Sequence, residues 1–144
     1  MMKADQAWLL FALGSAFFAG LTAILGKIGV SGVNSNLATL IRTVVILGFA
    51  GALVVVRREW DGIGAVDGRS WTFLVLSGLA TGASWLCYYR ALQLAPASRV
   101  APIDKLSVVV AIVLGLLVLK EPLSLKLLLG GGLIVAGTVV IATI

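Results

Sequence analysis

Nine side chains in this sequence have the type and spacing to handle a polar solute: Lys27, Arg42, Trp85, Tyr88, Tyr89, Arg90, Asp104, Lys105 and Glu121. A guanidinium beside aromatic faces, as Arg90 stands beside Trp85, Tyr88 and Tyr89, can hold a planar or anionic group. Asp104 and Lys105 are adjacent opposite charges that could pair and part. The chain has no His. Proton coupling would therefore fall to a carboxylate of raised pKa, Asp104 or, as second choice, Glu121. No Ser/His, Cys/His or paired-carboxylate constellation is present, so an enzyme is not expected. Cys87 is the single cysteine, which rules out an internal disulfide, and no metal or other cofactor is expected.

The elements that must position these residues are membrane helices. The chain is 60% apolar and 12% charged, with a mean hydropathy of +1.13, too little polar surface to cover a soluble globule. A spanning helix needs about 20 apolar residues. The pattern predicts an all-α integral membrane protein, one domain over 1–144, with helices at about 8–29, 37–56, 71–94, 101–119 and 125–143. Lys3 followed by an apolar run imitates a secretory signal, but the run continues to Ile28 and Asp5 joins the flank, so a first span is expected. The net charge of +5 suits anionic lipid or anionic solute; no basic run interleaved with aromatics points to nucleic acid.

Along the chain, several residues admit two readings. Ala12, Ser15, Ala16, Ala19, Ala23 and Gly26 share one face of helix 1, for packing or for a cavity. Lys27 closes that helix, where it suits the dipole and can snorkel, or it faces the pathway. Arg42 would lie about six residues, roughly 9 Å, into helix 2, on the face of Ser35 and Thr39. It is either an interface anchor or a buried cation facing a partner or water. The aromatics near the end of helix 3 form either an interfacial belt or a binding box. Pro102 is expected in the first turn of helix 4, with Asp104 there as a capping charge or, with Ser107, Ala111 and Gly115, on a polar stripe. Ser124 is a candidate N-cap for helix 5, whose Gly130, Gly131, Gly132, Ala136 and Gly137 make a thin face. Arg57 to Ser70 reads as a solvated connection.

The order ALQLAPASRVAPIDKLS, an apolar helix and KEPLS, with GKIGVSGVNSNLATLIRTVVIL upstream, resembles the EamA-like families of the drug/metabolite transporter superfamily, most closely their short five-helix bacterial members. The resemblance implies one half of an inverted-repeat transporter, since longer members hold two five-helix halves in one chain. Drug-exporting relatives use a membrane-embedded glutamate in their first helix. Here no acid lies between Asp5 and Glu59, which argues against that activity.

Five spans would put Lys3, Arg57, Arg58, Arg69, Lys120 and Lys126 on one side and Lys27, Arg42, Arg90, Arg99 and Lys105 on the other. Such balance leaves orientation weakly determined and makes dual insertion plausible. The expectation is an inner-membrane, multi-pass transporter subunit moving a small anionic or zwitterionic metabolite by alternating access, as a homodimer that can be antiparallel. Its partners would be the small-molecule substrate and membrane lipids. Two alternatives stand beside it: a flippase component for a phosphate-headed lipid, and a non-transporting membrane subunit of a larger complex.

Overall fold

The structure, a computed structural model, describes residues 7–143; the expectations for Lys3, Asp5 and Ile144 fall outside them. Among the described residues every regular element is helical. The order is α1 (Ala7–Gly29), α2 (Ser35–Val56), a 3₁₀ helix (Trp60–Ala65), α3 (Gly68–Leu94), α4 (Ala97–Asp104), α5 (Ser107–Leu114), a π turn (Gly115–Leu119) and α6 (Leu125–Ala142). Among the described residues five segments are long and apolar enough to cross a membrane: Ala7–Gly29, Ser35–Val56, Gly68–Leu94, Ala97–Leu119 and Leu125–Ala142. Their large side chains point outward in numbers no soluble protein tolerates, Phe11 at 80% and Val56 at 79% exposure among them. In hydrocarbon that exposure is the solvated state, and each helix satisfies its own backbone.

The chain forms two compact units, residues 26–94 and residues 1–25 with 95–144. In the first, α2 packs along α3, and the end of α1 enters at Gly26. There a methyl group would meet Tyr89 Cε1 at 3.2 Å, so glycine is what lets α1 and α3 approach. Val30 and Leu92 are the fully buried side chains of this unit. The turn after α1 uses Gly32 at φ +75°, a conformation without penalty for glycine alone. Asn34 then caps α2, its side chain accepting from the N–H groups of Asn36 and Leu37.

The Arg57–Ser70 connection is almost wholly exposed, in keeping with a solvated connection, and it is locally ordered. Arg58 takes a left-handed φ of 55°, and Trp60–Ala65 winds into the 3₁₀ helix. Asp67 accepts from the Ser70 N–H at 3.1 Å, so α3 starts at Gly68, ahead of the position near Trp71 that its apolar run suggests.

In the second unit α6 packs against α4 and α5. The fourth span departs from the sequence reading. Pro102 lies inside α4, whose first residue is Ala97 after Pro96, so Asp104 ends this helix and does not cap a first turn. The missing N–H of Pro102 shortens the helix. Beyond it Lys105 and Leu106 donate to the carbonyls three residues back, Pro102 and Ile103, both at 3.0 Å. This is a 3₁₀ passage between α4 and α5. The span finishes with Lys120 at φ 55°, while the Glu121 N–H returns to the Gly115 carbonyl at 3.1 Å. Ser124 Oγ accepts from the Leu127 N–H at 3.1 Å and opens α6 as its N-cap.

Candidate functional site

Arg42 and Trp85 form the centre of the site. Seven residues beyond the start of α2 at Ser35, Arg42 lies roughly 10 Å along the helix at 1.5 Å per residue. Its Cζ stands 3.0 Å from the Trp85 ring centre and 6.0 Å from that of Tyr89. Trp85 meets Tyr88 and Tyr89 edge-on, with centroids 5.4 and 5.5 Å apart. One helical stretch of α3 thus supplies three rings, and α2 supplies the cation lying on Trp85 and near Tyr89. Tyr89 is buried, while Arg42, Trp85 and Tyr88 are partly exposed. Stacking on rings is worth about 0.5–2 kcal/mol and leaves the in-plane N–H groups for a polar ligand.

The polar stripe expected to lead to Arg42 is used locally. Thr39 Oγ1 donates to the Ser35 carbonyl at 2.9 Å, and Thr43 Oγ1 to that of Thr39 at 2.8 Å. Among the described residues the ion pairs are Arg57–Glu59 and Lys105–Asp104. The charge of Arg42 is therefore met by π faces, and no carboxylate among the described residues lies within pairing distance.

Lys27 and Arg90 occupy the end of this unit in separate roles. Lys27 donates to the Leu92 carbonyl, which ties the end of α1 to α3. Arg90 donates to Gln93 Oε1 at 3.1 Å. Gln93 Nε2 in turn donates to the carbonyls of Val33 at 2.6 Å and Val30 at 3.3 Å. Gln93 is a residue that sequence reasoning passed over. Its position three residues after Arg90 in the last turn of α3 was the available signal. These residues line a cavity of about 480 Å³ at the α1–α2 turn.

Asp104 and Lys105 belong to the second unit and pair at 3.8 Å, both side chains more than a third exposed. A pair so open contributes about 0–1 kcal/mol and can separate at little cost. Glu121 folds back on the π turn, its Oε2 2.8 Å from where a methyl group on Gly115 would stand. Arg99, counted with the basic cluster from sequence, donates to the Ala142 carbonyl at the end of α6 at 3.2 Å, as a C-terminal cap does. Thr138 is buried and donates to the Pro102 carbonyl at 3.3 Å, which also accepts from Lys105. No group of three or more metal-ligating side chains occurs among the described residues.

The model of a family described as the EamA-like transporter family matches residues 6–143. A protein of Sinorhizobium sp., described as an uncharacterized transporter in the cobO 3′ region, is 53% identical over 138 residues, covering 96% of this chain and 98% of the relative. No solved structure matches the chain.

Proposed function

The chain belongs to the EamA-like transporter family, and from that premise we propose that it moves a small anionic or zwitterionic metabolite across the inner membrane by alternating access, as a homodimer. The observation that carries the choice of solute is the stack of Arg42 on Trp85, with no acidic partner for it among the described residues. A cation at this depth needs a counter-charge or water. A carboxylate or phosphate arriving on the in-plane N–H groups would supply the first, with Tyr88 and Tyr89 contacting the remainder of the solute. Lys27 and Arg90 stand at the end of the helices, at the mouth of the same pathway.

The described residues of one chain supply five candidate spans, an odd number. A second copy inserted the opposite way would build the inverted repeat around a midplane site that secondary transporters use. The exposed apolar faces of the spans leave room for such a partner as well as for lipid. The Asp104–Lys105 pair, at the 3₁₀ passage of the fourth span, is the proposed switch. Its carboxylate, or second to it Glu121, would carry a coupled proton.

The test is tracer uptake into proteoliposomes containing this chain alone. Arg42→Ala that folds and transports normally would remove the binding role. Full, normally pH-dependent uptake after Asp104→Asn would remove Asp104 as the proton carrier.

A further inference from the structure

We infer that the cavity where α1, the α1–α2 turn and the last turn of α3 meet is a docking site for a phosphate group. It is lined by Lys27, Val30, Ser31, Val33, Arg90 and Gln93, among others, and contains no Asp or Glu. Its volume, about 480 Å³, falls within the range of small-molecule sites.

Acceptors around the cavity would repel an anion, and four of them already receive a side-chain donor. The Leu92 carbonyl takes Lys27, the Val30 and Val33 carbonyls take Gln93 Nε2, and Gln93 Oε1 takes Arg90. What remains toward the cavity is donor capacity. Arg90 is exposed and spends one of its five N–H groups on Gln93, while Ser31 adds a hydroxyl from the exposed turn. Lys27 adds a second full positive charge.

A carboxylate is satisfied by one arginine fork. A tetrahedral phosphate directs oxygens several ways at once, and here the charge and donors come from three chain segments. The cavity also lies where α1 ends, α2 begins and α3 ends, the level at which a membrane presents its own phosphates. The source is thus either a phospholipid headgroup or a soluble organic phosphate.

Two arms separate the sources. In maltoside detergent, which carries no phosphate, equilibrium binding of radiolabelled glycerol 3-phosphate is measured with inorganic phosphate as competitor. In parallel, native mass spectrometry counts retained phosphatidylglycerol against diacylglycerol, which has the same tails and no phosphate. Saturable binding in either arm is expected, weakened at least tenfold by Arg90→Gln and several-fold by Ser31→Ala. Ser31→Ala, on the exposed turn, and the charge-keeping Arg90→Lys serve if Arg90→Gln does not fold. No phosphate-dependent binding in either arm overturns the inference. So does binding lost in Arg42→Gln but unchanged in Arg90→Gln, which would put the phosphate on the Trp85 stack. The inference rests on the transport reading only for where the anion goes next. Phosphate binding without uptake would sink transport alone, and uptake without phosphate binding would sink this site alone.

Discussion

The guanidinium of Arg42 lies on the face of Trp85, 3.0 Å from the ring centre, where a membrane helix would ordinarily set an acid against such a charge. Aromatic stacking offsets only part of the cost of removing the cation from water. The residue is therefore expected to serve binding at some expense to stability.

Replacing Arg42 by Met tests that trade. Methionine keeps much of the volume and a favourable contact of about 0.3–1.5 kcal/mol with the rings, and it removes the unpaired charge. The unliganded variant should melt at or above the wild-type temperature in detergent while losing uptake. A loss of more than about 2 kcal/mol would instead mark Arg42 as a structural anchor.

Gly26 should resist substitution where Gly14 does not. A Cβ at Gly26 would stand 3.2 Å from Tyr89 Cε1 and 3.6 Å from Leu92 Cδ1, whereas none of these neighbours surrounds Gly14. Gly26→Val is expected to cost about 1–3 kcal/mol as an overpacked contact, and Gly14→Val much less. Thermal unfolding of the two variants in one detergent checks this; equal losses would contradict the close approach of α1 and α3.

The start of α3 should loosen in acid. The Ser70 hydroxyl, and with it the Ser70 N–H, donates to the Asp67 carboxylate and holds its pKa below the usual carboxylate value. With the folded pKa below the unfolded one, the stabilisation is complete above the unfolded value and is lost as pH falls through the folded value. Amide exchange at Ser70 and Trp71, corrected for intrinsic rates, should accelerate as pH drops below the ordinary carboxylate range. In Asp67→Asn that acid dependence should be flat; a persistent dependence would assign it to another group.

Orientation is the direct check on the antiparallel homodimer. A reporter active on one side of the membrane, fused after Ile144, should signal from both sides and shift to one when two lysines are added to the Arg57–Ser70 connection. A single fixed orientation in native membranes would exclude an antiparallel pair of this chain.

How much of this was legible in the sequence differs by element. Long apolar runs bounded by SGVNSN, RREWDG and KEPLS carry the five spans because hydrocarbon thickness sets their length. The depth of Arg42 follows from its distance to Asn36. Its seat on Trp85 does not, since that depends on the relative rotation of α2 and α3, which only their packing against each other fixes. Pro102 was expected to open a helix because proline favours first turns. Here the chain starts the helix at Ala97, right after Pro96, and lets Pro102 shorten it. Gln93 was invisible for a related reason: a neutral amide gains meaning only when the carbonyls of Val30 and Val33 are brought to it. Arg99 could be counted as a charge from sequence, but its cap on Ala142 needed α4 and α6 to be adjacent.

Carriage of an anionic or zwitterionic solute on the Arg42–Trp85 stack can be read from one uptake profile. Proteoliposomes containing only this chain would be offered a mixture of small anionic, zwitterionic and cationic metabolites, and the lumen read by mass spectrometry for wild type and Arg42→Gln. One or more anionic or zwitterionic solutes should accumulate above empty liposomes, reduced at least tenfold in the folded variant. Accumulation of cations alone, or a profile that Arg42→Gln leaves unchanged, would contradict it.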